Sequence, residues 1–185
     1  MKALLAVKAK KIILGSRDLN LQHEFVDRLK QDFVGEDIDE RIDGSHCLDL
    51  GDFQSIADFA AYVDTMYNTI DCLICNAGIM NTPPSVTKDG FEQQMGVNVI
   101  GHFLLAKLLL AKTKRQVWVS SHGHNLNGGQ RIDIGAIRKF SMDDKQQVES
   151  YDGFVRYQQS KLGNILLAKA FSKRCNVVAV SLHPG

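Results

Sequence analysis

The sequence predicts an α/β fold in which helices cover both faces of a parallel, doubly wound sheet. Short apolar runs of strand length alternate along the chain with longer segments of helical periodicity. Such alternation implies right-handed crossovers between parallel strands. The chain has 185 residues, of which 44% are hydrophobic and 23% charged, so it can bury one substantial core. We therefore predict a single domain over residues 1–185.

The predicted strands are apolar runs that end in polar or glycine-containing turns. They lie at residues 11–16, 46–48, 71–75, 116–121 and 177–182. The acidic stretch at residues 36–43 is expected to be a loop. Residues 122–150 are expected to form a long polar excursion with little core of its own.

The predicted helices carry apolar residues every three or four positions, which places those residues on one buried face. The inward residues are Leu21, Phe25, Leu29 and Phe33 in one helix, and Ile56, Phe59, Ala60 and Val63 in the next. Longer helices are expected over residues 87–112 and 154–174. Residues 1–10 are expected to supply a further helix.

The charge balance excludes several classes of partner. The 22 lysines and arginines nearly match the 21 aspartates and glutamates, which leaves a net charge of +1. Neither nucleic acid nor an anionic membrane surface is therefore expected to bind. No apolar run approaches the roughly 20 residues of a membrane span. The sequence favours a cytoplasmic enzyme or binding domain.

The cysteines and histidines are interpreted without a metal. Cys72 and Cys75 lie in one strand-like apolar run, which is typical of core cysteines in a reducing compartment. His122 and His124 fall in a polar stretch, where histidines are usually solvated. We therefore predict no metal site.

Polar residues follow most of the predicted strands, at the edge where a parallel sheet binds its ligands. These segments are Ser16-Arg17-Asp18, Asp49, Asn76-Ala77-Gly78, Ser120-Ser121 and His183-Pro184-Gly185. On the last predicted helix, Tyr157 and Lys161 are four residues apart and therefore share a face. These residues are the first candidates for function.

Together these segments resemble the short-chain dehydrogenase/reductase family. The resemblance rests on Cys75-Asn76-Ala77-Gly78, Asn98, Val119-Ser120-Ser121, Tyr157-Gln158-Gln159-Ser160-Lys161 and Pro184-Gly185. They occur in the family's order and extend over nearly the whole chain. Residues 101–105 and 160–166 are similar to the retinol dehydrogenase branch, and the long spacing from Ser121 to Tyr157 is similar to that of WW-domain oxidoreductases.

The resemblance implies a Rossmann-like sheet and an NAD(P)-dependent oxidoreductase that interconverts an alcohol and a carbonyl by hydride transfer. The branch implies a small apolar alcohol or carbonyl as substrate. No oligomeric state is predicted.

The resemblance also assigns catalytic roles, to Asn98, Ser121, Tyr157 and Lys161. Tyr157 would act as acid and base, because the ammonium of Lys161 favours the phenolate. Lys161 would also hold the nicotinamide ribose. The hydroxyl of Ser121 would bind the carbonyl oxygen, with Ser120 as the alternative. Asn98 would hold a water in the proton relay, and a purely structural role for Asn98 stays open.

The cofactor implied by the resemblance is NADP, with NAD as a possible substitute. Arg17 follows the strand that would reach the adenosine ribose, and a guanidinium there suits a 2′-phosphate. Asp18 is next to it, and an acidic residue would suit the bare hydroxyls of NAD. The cofactor-binding residues implied are Arg17, Asp49, Leu50, Asn76, Ala77, Gly78, Tyr157, Lys161, Pro184 and Gly185.

The family's first strand and its Thr-Gly-x-x-x-Gly-x-Gly loop do not occur in this sequence. That loop gives a pyrophosphate its backbone N–H donors. We therefore expect an incomplete domain over residues 1–185, whose sheet lacks the first strand and the C-terminal part. Two functions stay open: an NADP-dependent oxidoreductase, or a catalytically silent fragment that acts as a binding or interaction module.

Overall fold

The computed structural model of the chain describes residues 1–128, 131–132 and 140–184. Its paired strands are parallel and alternate with helices, so the predicted α/β class is confirmed. The chain divides into two compact units, Met1–Asp49 and Leu50–Gly185. Each unit is described by itself.

The first unit contains a parallel pair of short strands and three helices. In chain order they are α1 (Lys2–Ala6), β1 (Ile12–Ile13), α2 (Leu19–Asp32), α3 (Ile38–Arg41) and β2 (Ile42–Asp43). Ile12 pairs with Ile42 and Ile13 with Asp43. Buried apolar side chains from all five elements and their flanks form the core: Leu5, Ile12, Leu29, Ile38 and Ile42.

The second strand of this unit lies elsewhere than predicted. Residues 46–48 were expected to form it, but Cys47 makes only an isolated parallel bridge to Ser16. The second strand is instead β2, which lies within the stretch expected to be a loop. This stretch is ordered against the unit because Ile38 and Ile42 both belong to its core. Arg41 holds this stretch in place, since its guanidinium donates to the carbonyls of Leu5 and Ala9 at 3.0 Å. The expected loop at residues 36–43 was therefore wrong.

The inward face of α2 also differs from the expectation at one position. Leu21 is 60% exposed, whereas its neighbour Gln22 is buried. The amide of Gln22 donates to the carbonyl of Gly44 at 2.6 Å. This hydrogen bond compensates the burial of the Gln22 Nε2 group, next to the position where apolar periodicity predicted a buried leucine.

The second unit contains a three-stranded parallel sheet of order β3-β4-β5. Its strands are β3 (Leu73–Cys75), β4 (Arg115–Val119) and β5 (Val178–Leu182). Its helices are α4 (Phe53–Met66), α5 (Gln93–Met95), a π-helix (Gly96–Gly101), α6 (His102–Leu108), 3-10 helices at Leu110–Lys112 and His122–Gly128, α7 (Lys145–Glu149) and α8 (Gly153–Arg174). Because α5, the π-helix and α6 follow one another without a gap, residues 93–108 are named the Asn98 helix.

The long helix expected over residues 87–112 is shorter than predicted. Val86 and Glu92 form an antiparallel bridge before it, and the helix begins only at Gln93. The carboxylate of Glu92 caps that start by accepting from the backbone of Gln94 and Met95. The π-helical turn in its middle lies at Asn98, and such turns are frequent at functional sites.

The core of the second unit surrounds Trp118 on β4. Trp118 is fully buried and stacks on Phe171 of α8, with ring centroids 5.6 Å apart. The predicted inward face of α4 is confirmed, since Ile56, Phe59, Ala60 and Val63 are all buried. Cys75 belongs to the core as expected, but Cys72 is exposed, so the core assignment was wrong for that cysteine. None of the helices among the described residues is long and apolar enough to cross a membrane.

We expect Phe171→Ala to lower the free energy of unfolding of the second unit by about 3–5 kcal/mol, because it leaves a cavity against Trp118. Phe103→Ala is the matched control: Phe103 is 43% exposed and Phe171 only 4%. Phe103→Ala should lower the free energy of unfolding by only about 1 kcal/mol. Chemical denaturation followed by the fluorescence of Trp118, the only tryptophan, measures both. Equal losses for the two variants would contradict this assignment of the core.

Candidate active site

Tyr157 and Lys161 lie on one face of α8. The helix begins at Gly153 because Asp152 caps it, its carboxylate accepting from the N–H groups of Phe154 at 2.9 Å and Val155 at 3.0 Å. The Nζ atom of Lys161 lies 5.6 Å from the centroid of the Tyr157 ring. The predicted spacing therefore brings the ammonium next to the phenol.

Lys161 is buried, with 5% of its surface exposed. Its Nζ donates to the carbonyl of Val119, at the end of β4, at 3.1 Å. Burial lowers the pKa of Lys161 below its ordinary value, because removal from water disfavours the charged form. The ammonium is thus held in a defined place by the sheet.

Asn98 is fully buried, and its side chain joins two segments. Its Nδ2 donates to the carbonyl of Ile79 and to the hydroxyl of Ser160, both at 2.9 Å. Its Oδ1 accepts from the N–H of Ile79 at 2.9 Å. Ser160 in turn donates to the carbonyl of Tyr157 at 2.8 Å. Both N–H donors of the Asn98 amide are therefore used by protein acceptors.

The loop after β3 reaches the same place. A Cβ atom added at Gly78 would lie 3.3 Å from both the Asn98 Oδ1 and the Lys161 Nζ. Gly78, after the carboxyl end of β3, thus lies close to both Asn98 and Lys161.

Ser121 lies on the Tyr157 side of the site. A Cβ atom added at Gly123 would lie 3.3 Å from the Ser121 hydroxyl and 3.2 Å from the Tyr157 ring. The N–H of Gly123 donates to the Ser121 hydroxyl at 3.1 Å. Ser120, the alternative, instead donates its hydroxyl to the carbonyl of Lys161 at 2.8 Å. The structure therefore brings Asn98, Ser121, Tyr157 and Lys161 together and directs the hydroxyl of Ser120 into the protein.

A cavity of about 230 Å³ opens beside Ser121. Its lining consists of Ser120, Ser121, His122, His124, Ile165, Ser181, Leu182 and His183. The rings of His122 and His183 lie 5.4 Å apart. His122 is exposed as expected, but His124 is half-buried, with its Nδ1 2.6 Å from the Ser121 carbonyl, so the solvated interpretation was wrong for it.

The histidines of the cavity raise the question of a metal site. Within residues 1–128, 131–132 and 140–184, no group of three or more His, Cys, Asp or Glu side chains could hold a metal ion.

The remaining predicted cofactor residues are divided between the two units. In the first unit Arg17 is exposed after β1, and Asp49 is half-buried at the unit's end. In the second unit the carbonyl of Leu50 lies against Gly101, where a Cβ atom would not fit. Pro184 is exposed after β5, and Gly185 lies outside the described residues. The cofactor-binding role of these residues stays a prediction.

Asp18, the residue after Arg17, caps the start of α2. Its carboxylate caps α2, accepting from the N–H groups of Asn20 at 2.9 Å and Leu21 at 3.1 Å. The acidic residue next to Arg17 is therefore explained by the start of the helix.

His102 is a residue of the site that the sequence analysis missed. It is buried one turn after Asn98, and its Nδ1 lies 3.0 Å from the Asn98 carbonyl. Burial lowers the pKa of His102 from 6.5 to about 4, so the ring is neutral at pH 7. The available signal was a histidine four residues after Asn98, within the apolar run from Val97 to Ala106.

Comparison with known proteins identifies related chains. A family model described as short chain dehydrogenase matches residues 2–122. Human retinol dehydrogenase 13 is 36% identical over 184 residues, which cover 98% of this chain and 53% of that protein. The chain thus spans about half the length of the curated relatives it matches.

Solved structures share the fold. A crystal structure of an uncharacterized protein from Mycobacterium Paratuberculosis matches with a TM-score of 0.73 and 30% identity, covering 95% of this chain and 59% of that chain. A metagenomic short-chain oxidoreductase in complex with NADP matches with a TM-score of 0.64 and 20% identity, covering 95% and 71%. At that identity the second likeness shows the fold alone.

We expect His102 to make the stability of the protein depend on pH. Its pKa is lower in the folded than in the unfolded chain, so its neutral form stabilises the fold fully above about pH 6.5, and this contribution is lost as the pH falls towards 4. The shift corresponds to about 3 kcal/mol. The free energy of unfolding is measured for the wild type and for His102→Asn between about pH 7 and pH 4. The difference between their pH dependences gives the contribution of His102.

The control for this experiment is His23→Asn, the same substitution at an exposed position of α2. It should keep the pH dependence of the wild type. A His102→Asn variant with the same pH dependence as the wild type would show that the His102 assignment is wrong.

Proposed function

Because the chain belongs to the short chain dehydrogenase family, we propose that it is part of an NADP-preferring oxidoreductase that interconverts an alcohol and a carbonyl, with Tyr157 as acid and base. One observation carries the proposal: a buried lysine ammonium lies beside the Tyr157 ring, on the face of α8 that meets Ser121 and Asn98. A small apolar carbonyl such as retinal is the proposed substrate class, since relatives of this chain are named retinol dehydrogenases.

When bound, the nicotinamide supplies or accepts the hydride. The residues near Lys161 suit its ribose. An ammonium has three N–H donors, and the carbonyl of Val119 accepts one of them at 3.1 Å. The others can donate to ribose hydroxyls beside the loop at Gly78.

In this mechanism Tyr157 transfers the proton. Its hydroxyl protonates the alkoxide that forms when a carbonyl is reduced, and it removes the alcohol proton in the reverse direction. The positive charge of Lys161, fixed at 5.6 Å from the ring centre, stabilises the phenolate that remains. The two residues therefore act as one acid–base unit.

Ser121 binds the reacting oxygen. Its hydroxyl oxygen already accepts from the N–H of Gly123, so its own O–H can donate to the substrate. Such a donor stabilises the negative charge that develops on the carbonyl oxygen. Asn98 has both amide N–H groups engaged with Ile79 and Ser160, which favours a positioning role over direct contact with substrate.

Arg17 supports the preference for NADP. Its exposed guanidinium suits a 2′-phosphate, which NAD does not have. The carboxylate of Asp18, which could have favoured NAD, is engaged in capping α2.

The alternative is that this chain by itself is catalytically silent and acts as a binding or interaction module. The observation in its favour is that the sequence contains no Thr-Gly-x-x-x-Gly-x-Gly segment to supply pyrophosphate donors. Losing three such charge-assisted bonds would cost roughly 4–9 kcal/mol, which is comparable to the whole binding energy of a micromolar complex.

Titration of the purified chain with NADPH, followed by fluorescence, and an assay of retinal-dependent NADPH oxidation test both functions. If the chain is an oxidoreductase, Tyr157→Phe should lower kcat at least about 100-fold, because it removes the proton donor but not the ring. Tyr62→Phe, the same change on α4, is the matched control and should retain activity. Absence of saturable NADPH binding by the wild type would favour the silent module.

Arg17→Ala tests the choice of cofactor. We expect it to weaken NADP binding roughly 10- to 100-fold and NAD binding little, because only NADP presents the extra phosphate. Arg28→Ala, an exposed arginine on α2, controls for the loss of positive charge. Equal losses for the two cofactors would mean that Arg17 does not bind the phosphate.

A further inference from the structure

A buried carboxylate outside the candidate active site joins two distant segments. Glu92 is fully buried and accepts from the N–H groups of Gln94 at 3.0 Å and Met95 at 2.7 Å, which caps the Asn98 helix. It also accepts the hydroxyl of Tyr151, 59 residues later, at 2.7 Å. A buried carboxylate needs such donors to compensate the loss of water. Tyr151 therefore supplies a bond from outside the helix.

Gln94 extends this contact to a third segment. It is fully buried, and its Nε2 donates to the Tyr151 hydroxyl at 3.1 Å and to the Gly153 carbonyl at 2.7 Å. Its Oε1 accepts from the N–H of Asn81, in the loop after β3, at 2.9 Å. In an α-helix the Gly153 carbonyl also accepts from the N–H of Tyr157, four residues on. The Gly153 carbonyl thus accepts both from the side-chain amide of Gln94 and from the backbone of the first turn of α8.

The backbone at the start of α8 lies too close to this loop for a side chain. A Cβ atom added at Gly153 would lie 2.7 Å from the Thr82 carbonyl and 2.9 Å from the Asn81 side chain. Asn81 itself has a φ of 52°, a conformation that asparagine tolerates better than most residues. The first residue of α8 is therefore fixed against the loop, with little freedom to slide.

Phe140 contacts this cluster through Tyr151. Its ring packs against that of Tyr151, with centroids 5.9 Å apart, and its N–H donates to the Gly90 carbonyl at 3.1 Å. Burial raises the pKa of Tyr151 to about 12, so its hydroxyl stays protonated and donates to Glu92. Phe140 therefore ties Tyr151 to the segment that precedes the Asn98 helix.

We propose that Glu92, Gln94 and Tyr151 are positioning residues that set the register of α8 against the Asn98 helix. The proposal rests on the function proposed above for Tyr157 and Lys161. These two residues follow Gly153 by one and two helical turns, so a shift at the start of α8 moves both relative to Asn98 and Ser121. None of the three positioning residues touches the reacting atoms.

The test uses Tyr151→Phe, which removes one hydroxyl from the full chain. We expect kcat for NADPH-dependent carbonyl reduction to fall about tenfold. The KM of the carbonyl should stay within about twofold, since Ser121, which is proposed to bind it, does not lie on α8. A double variant with Glu92→Gln should lose less than the product of the two single losses, because both changes act on the Tyr151–Glu92 contact. Tyr62→Phe is again the matched control.

Hydrogen exchange provides a second readout that does not depend on activity. In Tyr151→Phe the amides of residues 153–161 should exchange about tenfold faster, whereas those of β4 should not change. If the wild type shows no NADPH oxidation, the proposed function fails and exchange alone decides the positioning role. Unchanged exchange at residues 153–161 would overturn the inference. Strictly additive losses in the double variant would also overturn it. The same holds if the loss of kcat in Tyr151→Phe equals the fraction of the variant that is unfolded.

Discussion

One backbone carbonyl at the end of β4 holds the candidate site together. The carbonyl of Val119 accepts from the Lys161 Nζ and from the Asn164 Nδ2, each at 3.1 Å. Since a buried ammonium is costly without a hydrogen-bond partner, Lys161 is stable in its place only where this carbonyl ends the strand. A second hydrogen bond joins the same segments, because the Ser120 hydroxyl donates to the Lys161 carbonyl at 2.8 Å. The register of β4 therefore determines where the ammonium lies.

A helix is fixed in space only when it is held at more than one point along its length. The middle of α8 is held by Val119 and, through Ser160, by the amide of Asn98. Its first residue is held by the amide of Gln94. Tyr157 lies between these contacts, so its position follows from groups that do not themselves react. Side-chain amides and hydroxyls thus perform the positioning that apolar packing, which is non-directional, does not provide.

The sequence predicted the parts of the site that depend on local spacing. The four-residue interval from Tyr157 to Lys161 fixes a shared face on any α-helix, and polar residues after parallel strands meet at one edge of the sheet. Contacts between distant segments gave no such signal: nothing in the sequence pairs Glu92 with Tyr151. Apolar periodicity also failed where a polar side chain is buried with a partner, as at Gln22, and where an acidic stretch contains a short strand, as at Ile42.

Two contacts of the polar excursion, at Gly123 and at Phe140, have a consequence for how such a chain can evolve. Gly123 lies beside Ser121 and Tyr157, and the N–H of Phe140 donates to the carbonyl of Gly90. The entropy of closing a loop rises slowly with length, by only about 0.6 kcal/mol for each doubling. A change in length between these two contacts therefore costs little entropy. Relatives could differ in the length of this segment while Gly123 and Phe140 keep their contacts.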